Sequence, residues 1–168
     1  MRTHRRSHDR LSGKIKTLPA LKALITKLRQ EGKKIVFTNG CFDILHYGHA
    51  QYLQDAKNTG DILVVGVNSD ASIRKIKGKN RPVVGENNRL RLLAALESVD
   101  YLVLFRETTP LKVIREIKPD ILVKGADWNK NNIVGGDFVL GRGGKVRTVK
   151  LVQGLSTTNL IKKIVQGC

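Results

Sequence analysis

Strand-like and helix-like segments alternate along the chain, and this order limits the fold more than any other feature. Five short runs are rich in β-branched residues: 33–39, 61–68, 101–105, 120–125 and 145–151. Helix-like segments lie at 17–32, 48–58, 86–97, 109–118 and 156–166. Because parallel strands need crossover connections, the alternation predicts one doubly wound α/β domain with a five-stranded, mainly parallel sheet. In such a fold, ligands bind beyond the carboxyl ends of the strands.

Positive charge is concentrated toward the amino terminus. The chain carries a formal net charge of +17, and its first 34 residues hold eleven Lys and Arg against Asp9 and Glu31. We predict a basic extension over residues 1–17 and one catalytic domain over residues 18–168. A basic nucleic-acid-binding protein is the alternative from another functional class. Aromatic residues make up only 5% of the chain, which leaves few rings to stack on bases, so nucleic acid is not the expected partner.

The sequence lacks the features of a membrane-embedded or exported protein. No apolar run approaches the roughly 18 residues that a spanning helix needs, and no apolar segment follows the charges of the first ten residues. The two cysteines, Cys41 and Cys168, are too few for a disulfide framework. We therefore expect a cytoplasmic protein with no membrane partner.

The stretch FTNGCFDILHYGH, residues 37–49, leads from the end of the first predicted strand into the next helix. Glycines at such a crossover allow close backbone approach, and the free N–H groups of a helix N-terminus favour phosphate. His46 and His49 share one face of the first helical turn and could both donate to one phosphate. Two alternatives remain open: hydrogen-bonded core histidines, or a zinc site with Cys41 as a nearby ligand.

Two motifs resemble those of the cytidylyltransferase-like nucleotidyltransferase superfamily. HYGH, residues 46–49, resembles its His-x-Gly-His motif, and GLSTTNLIKKI, residues 154–164, resembles its Ser-Thr-Thr helix start. Two motifs in the expected order at opposite ends of the domain are more specific than either alone. The resemblance implies a Rossmann-like fold of the nucleotidyltransferase type. It also implies transfer of a nucleoside monophosphate to a phosphate, with release of pyrophosphate.

Six segments extend the likeness from about residue 33 to residue 165. They are TNGCFDILHYGHAQYL, VNSDAS, KGKNRPV, LAALESVDYLV, PDILVKGAD and STTNLIKKI. Together they resemble the adenylyltransferase domain of ADP-heptose synthesis. This likeness implies transfer of AMP from ATP to D-glycero-β-D-manno-heptose 1-phosphate for the lipopolysaccharide core, with Mg²⁺ carried by ATP and not by a dedicated protein site. It also implies a homodimer. No kinase-sized segment precedes the domain, so the standalone form is expected.

The resemblance assigns four residues to the chemical step. His46 and His49 are expected to contact the α-phosphate and the departing pyrophosphate. Lys75 and Lys77 match a mobile basic segment that closes over the triphosphate in similar transferases, and Lys79 could replace one of them. For each lysine, a solvated helix end is the structural alternative.

Other matched residues are expected at the nucleotide or the acceptor. The expected nucleotide-binding residues are Asn39, Gly40, Phe42, Arg89, Lys124, Gly125, Asp127, Ser156, Thr157 and Thr158. The first three would act through backbone contacts, and the last three would hold the β- and γ-phosphates while starting a helix. Asp43 matches a position near the acceptor or the metal, although an Asx turn would also explain it.

Glycerol-3-phosphate cytidylyltransferase is the alternative within the superfamily. It shares HYGH, ADW and STT in similar form. That family typically carries an arginine three residues before the glycine of its Gly-Ile-Ser-Thr-Thr motif, where this chain has Leu151 before Gly154. This departure, together with KGKNRPV and VGGDFVL, favours the heptose enzyme.

Overall fold

The computed structural model describes residues 11–126 and 132–167, in which six strands form one parallel sheet in the order β1-β4-β3-β2-β5-β6. The strands are β1 Ile15–Lys16, β2 Ile35–Gly40, β3 Ile62–Asn68, β4 Tyr101–Phe105, β5 Ile121–Gly125 and β6 Lys145–Val149. The helices are α1 Leu18–Gln30, α2 Tyr47–Lys57, α3 Asp70–Lys77, α4 Glu86–Ala94, α5 Leu111–Ile117, α6 Gly136–Gly141 and α7 Thr157–Val165. Residues 11–14 are also helical. The predicted doubly wound α/β fold is confirmed.

Three elements differ from the sequence prediction. β1 pairs with β4 at Ile15↔Leu102 and Lys16↔Val103, so the sheet has a sixth strand within the predicted basic extension. Two residues are too few to show an alternating pattern. Helix α3 lies in a polar segment after β3, and α6 begins and ends with glycine, which lowers helix propensity. Residues 1–10 lie outside the described residues, so the extension itself stays a prediction.

Helices cover both faces of the sheet. Leu53 of α2 and Leu93 of α4 belong to the apolar cluster on one face. Leu21 of α1 and Ile114 of α5 belong to the cluster on the other. All four side chains are completely buried, and each such burial contributes about 1.5–3 kcal/mol. The two clusters therefore fix the central strands and the helices that begin at their ends. No helix in residues 11–126 and 132–167 is long and apolar enough to span a bilayer.

The order of the strands reverses between β2 and β5. The chain runs from β2 outward to β3 and β4, and α5 then returns it to β5 on the other side of β2. Such a reversal is a topological switch point, where doubly wound sheets bind nucleotides at the carboxyl ends of the strands. β2 ends at Asn39-Gly40 and β5 at Lys124-Gly125. Four predicted site residues therefore lie side by side at this crevice.

Candidate active site

A cleft of about 520 Å³ lies at the carboxyl edge of the sheet, over the switch point. β2 and the turn after it contribute Asn39, Gly40, Phe42 and Asp43, and α2 contributes His46 and His49. β5 contributes Lys124 and Gly125, the end of α3 contributes Lys77, and the start of α7 contributes Ser156, Thr157 and Thr158. Twelve of the predicted site residues are therefore brought together in one cleft.

Two of the predicted site residues do not line this cleft, and a third lies outside the described residues. Lys75 lies on α3 with an exposed side chain, about 200° around the helix axis from the cleft-lining Lys77. Arg89 is only 1% exposed and is not part of the cleft wall. Asp127 lies outside the described residues, so its position stays a prediction. Of Lys75 and Lys77, it is Lys77 that lies on the face of α3 that lines the cleft.

The two histidines of HYGH stack on each other at the start of α2. Their ring centroids lie 3.9 Å apart with an interplanar angle of 29°, and Phe42 meets His49 edge-on at 5.5 Å. Gly48 leaves space for this arrangement, because a Cβ there would lie 3.0 Å from Cε1 of His46. A side chain at this position would therefore require the first histidine ring to shift.

Three ring nitrogens of this pair are buried without a hydrogen-bond partner among the described residues: Nδ1 and Nε2 of His46 and Nδ1 of His49. Leaving a buried polar group unpaired costs about 1–3 kcal/mol, and such groups call for an explanation. The hydrogen-bonded core histidines considered from the sequence are therefore not what the structure contains. A ligand rich in oxygen atoms would satisfy these nitrogens.

Burial also controls the charge of the pair. It lowers the pKa of His46, and it lowers the pKa of His49 to about 4, with smaller contributions from the neighbouring His46 and Lys77 charges. Both rings are consequently neutral at pH 7 in the free protein. A neutral imidazole has one N–H donor and one acceptor, and an anion placed against the rings would favour their protonation.

Asp43 holds the turn between β2 and α2 in an uncommon conformation. Its neighbours Phe42 and Ile44 have φ values of 49° and 53°, a left-handed conformation that is unfavourable for non-glycine residues. The carboxylate accepts hydrogen bonds from Nε of Arg81 at 2.7 Å and from the backbone nitrogens of Val84 and Val83 at 2.8 and 3.0 Å. These bonds offset the strain of the turn.

The partners of Asp43 change the interpretation of this residue. Its side chain has no exposed surface, and its donors come from residues 81–84, so an Asx turn is not what holds it. Burial of the carboxyl raises its pKa, but the backbone N–H groups of Val84 and Val83 and the Arg81 guanidinium outweigh that effect, and the pKa is lowered. The structure therefore shows an ionised side chain occupied by protein donors. Arg81 was not predicted, although its place in KGKNRPV was a signal for it.

The side chain of Arg89, like that of Asp43, is hydrogen-bonded to other groups of the protein. Its Nη2 donates to the Asn68 carbonyl and to Asp70 Oδ1, both at 2.8 Å, and its Nε donates to the Val84 carbonyl at 2.9 Å. Its Nη1 donates to the Cys41 carbonyl. The guanidinium joins the loop after β2, the end of β3 and the loop before α4. A direct nucleotide contact by this side chain would require it to leave these partners.

The start of α7 is attached to the same turn. Ser156 caps α7, accepting a hydrogen bond from the Asn159 nitrogen at 3.1 Å, as predicted. Thr157 Oγ1 donates to the Asp43 carbonyl at 2.7 Å. Because that hydroxyl proton is already donated, Thr157 would offer an anion its backbone N–H. The N-termini of α2 and α7 thus border one cleft, and both carry the partial positive charge that favours anions.

The switch-point side of the cleft is polar as well. Lys124 Nζ donates to Oδ1 of Asn39, which links the ends of β5 and β2 across the crevice. Within residues 11–126 and 132–167, no group of three or more His, Cys, Asp or Glu side chains is arranged to hold a metal ion.

Comparisons with known proteins identify a matching family and several relatives. The chain matches the family model described as cytidylyltransferase-like over residues 37–162. Relatives named bifunctional protein HldE include that of Geobacter metallireducens, 52% identical over 160 residues, and that of Citrifermentans bemidjiense, 53% identical over 154 residues. The alignments cover 95% and 92% of this chain but 33% and 32% of the relatives. The chain therefore spans about a third of the length of these curated relatives.

Two solved structures are also similar. The lipopolysaccharide core biosynthesis protein from Thermoplasma volcanium is 36% identical, with a TM-score of 0.57, over 71% of this chain and 97% of that one. A pantoate-beta-alanine ligase from Francisella tularensis shares the fold with a TM-score of 0.60 at 16% identity, over 92% of this chain and 79% of that one.

Together these findings confirm the predicted resemblance to the adenylyltransferase domain of ADP-heptose synthesis and the prediction of a nucleotidyltransferase. Enzymes of this class generally use a nucleoside triphosphate with a divalent metal ion. The matched region includes HYGH, the Ser-Thr-Thr segment, the cleft between them and the switch point. This chain belongs to the cytidylyltransferase-like family of nucleotidyltransferases.

Proposed function

We propose that this chain transfers AMP from ATP to D-glycero-β-D-manno-heptose 1-phosphate, giving ADP-heptose and pyrophosphate for lipopolysaccharide core synthesis. The observation that carries the proposal is the stacked pair of His46 and His49 between two helix N-termini, with three buried ring nitrogens that have no hydrogen-bond partner in the described part of the chain. The HldE relatives support the choice of nucleotide and acceptor. We propose that the enzyme acts in the cytoplasm as a homodimer, with Mg²⁺ entering on ATP.

The chemistry needs alignment and charge neutralisation more than proton transfer. A phosphate monoester has a second pKa of about 6, so the acceptor is largely dianionic at neutral pH and attacks without a general base. Its oxygen forms the new bond to the α-phosphorus of ATP, and the bond to the β-phosphate bridging oxygen breaks, releasing pyrophosphate. Charge that develops on the α-phosphate is stabilised by the N–H groups of His46 and His49.

The other cleft residues support this role from both sides. The α7 start, with Ser156, Thr157 and Thr158, is suited to the β- and γ-phosphates, and Lys77 is suited to the charge of the departing pyrophosphate. Asn39, Gly40, Phe42, Lys124 and Gly125 are suited to the nucleoside at the switch point. Asp127 and Lys75 stay predictions without support from the described residues. Asp43 and Arg89 are proposed to shape the site and not to touch substrate.

A two-by-two set of assays tests the proposal. ATP or CTP is combined with heptose 1-phosphate or glycerol 3-phosphate in the presence of Mg²⁺, and pyrophosphate release is measured. We expect only the ATP and heptose 1-phosphate pair to be fast, because a base pocket that pairs with adenine leaves polar groups unpaired against cytosine. Activity only with CTP and glycerol 3-phosphate would establish the cytidylyltransferase alternative instead. Inactivity of all four pairs with folded protein would reject both.

A further inference from the structure

The cleft extends beyond the histidines to the ends of β3 and β4. Asn68 at the end of β3 and Thr108, Thr109 and Pro110 after β4 line it. This inference rests on the proposed function, because it concerns where the acceptor of the proposed reaction binds. We propose that Thr108 and Thr109, on the loop between β4 and α5, bind hydroxyl groups of the acceptor sugar and determine acceptor specificity.

The position of the switch point indicates which side of the cleft the nucleoside occupies. The switch point lies between β2 and β5, so the nucleoside is expected on the β5 side of the histidines. β3 and β4 lie on the opposite side of β2. In phosphoryl transfer the oxygen of the acceptor and the oxygen of the departing pyrophosphate lie roughly in line on opposite sides of the phosphorus. With the nucleoside occupying the β5 side, the part of the cleft at β3 and β4 is left for the acceptor.

This part of the cleft is held rigidly. Ser72 Oγ donates to the Glu107 carbonyl at 2.7 Å and accepts from Asn68 Nδ2 at 3.0 Å. The Ser69 nitrogen donates to the Phe105 carbonyl at 2.8 Å. Ser72 is fully buried and Asn68 is 4% exposed, so water competes little for these bonds. The loop after β4 is thereby fixed to the end of β3, and the two threonines occupy defined positions.

Chemical complementarity supports the same assignment. Thr108 and Thr109 are exposed in the cleft wall and neutral. A hydroxyl both donates and accepts a hydrogen bond, which matches a sugar hydroxyl better than it matches a phosphate. A sugar phosphate therefore fits this wall with its phosphate toward the histidines and its ring against the threonines.

The experiment removes each hydroxyl without changing side-chain shape. Thr108→Val and Thr109→Val are compared with Thr108→Ser and Thr109→Ser, which keep the hydroxyl, and with Thr26→Val on the distant helix α1. Steady-state kinetics are measured with ATP and heptose 1-phosphate varied in turn, and thermal melts check folding. A net hydrogen bond is worth about 1 kcal/mol or somewhat more. We therefore expect a five- to tenfold lower kcat/KM for the acceptor in each valine variant, recovery in the serine variants and an unchanged KM for ATP.

A second acceptor separates the possible outcomes. Ethyl phosphate has no sugar hydroxyls, so the valine variants should use it as well as the wild type does, and their preference for heptose 1-phosphate over ethyl phosphate should fall. Unchanged acceptor kinetics in folded, active valine variants would overturn the subsite and leave the proposed function intact. A rise in the KM for ATP alone would also overturn it, because it would place the nucleotide at these threonines. Wild-type inactivity with heptose 1-phosphate would count against the proposed function itself.

Discussion

The helices α2 and α7 both begin at the cleft, but the protein holds them in different ways. Gly48, Tyr52, Leu53 and Ala56 are buried along α2, which packs into the core. Within residues 157–165, α7 has no buried residue. A hydrogen bond from Thr157 to the Asp43 carbonyl joins its start to the turn before α2, whereas the Ser156 cap is a bond within α7. The start of α2 is therefore built into the domain, whereas the start of α7 is held to it mainly by a hydrogen bond.

From this difference we expect the two helix starts to have different functions. A core-packed helix can hold unpaired polar groups in position, as α2 holds the rings of His46 and His49, because its packing offsets their desolvation. A surface helix with few buried apolar contacts has low local stability and can adjust to a ligand. We expect the α2 end to fix the reacting α-phosphate and the α7 end to follow the β- and γ-phosphates. Three sets of variants test this difference between the two helix starts.

The largest effect is expected at the start of α2. Replacing His49 with Ala removes one preorganised donor to the charge of the transition state, which typically lowers turnover about a hundredfold or more. The same result is expected for His46→Ala. Pyrophosphate release is measured beside a thermal melt, with Gln54→Ala on the exposed face of α2 as the control. Near-normal turnover of a folded His49 variant would contradict the assignment of α2 to the reacting phosphate.

The next effect, on stability, is expected where the turn before α2 is held. Asp43→Asn leaves the nearly buried Arg81 without its ion partner, so the free energy of unfolding at pH 7 should fall by about 3 kcal/mol. The folded-state pKa of Asp43 is lowered, so the ionised carboxylate stabilises the protein above the unfolded pKa of about 3.9. That stabilisation is lost as the pH falls through the still lower folded pKa. The difference between wild type and variant should shrink over the same range.

Urea unfolding between pH 7 and pH 3 measures this difference. Asp61→Asn is the matched control, because Asp61 also accepts a backbone N–H, from Lys34 at 2.7 Å, but is exposed. Its effect should stay within about 0.5 kcal/mol. Equal losses in the two variants would show that Asp43 is an ordinary surface carboxylate in energetic terms.

The smallest effect is expected at the tether of α7. Thr157→Val removes the hydrogen bond to the Asp43 carbonyl, which is worth about 1 kcal/mol, so the KM for ATP should rise about fivefold while the melting temperature changes little. Amide hydrogen exchange should accelerate in α7 and not in α2. Thr59→Val is the control, because its hydroxyl also donates to a backbone carbonyl, that of Ala56, away from the cleft. Faster exchange in both helices would show that the two are not independently held.

Several features of the site were predictable because they depend on local sequence. HYGH and the Ser-Thr-Thr segment each follow a strand or a loop and begin a helix, so their position at the ligand edge follows from the alternation of elements. The capping role of Ser156 was predictable for the same reason, since a cap and its donor lie three residues apart. Lys75 and Lys77 could not be separated in this way, because the choice depends on the phase of α3 relative to the cleft.

The sequence by itself determined the fold class, the ligand edge and the family, because short-range periodicity and motif spacing carry that information. Only the tertiary structure shows which groups surround Asp43 and Arg89. The partner of Asp43 is Arg81, and Arg89 reaches back to the Cys41 carbonyl; neither pairing follows from spacing along the chain. Whether a charged side chain contacts substrate or holds a loop depends on which distant groups surround it and on whether water reaches it, and both are settled only when the chain is folded.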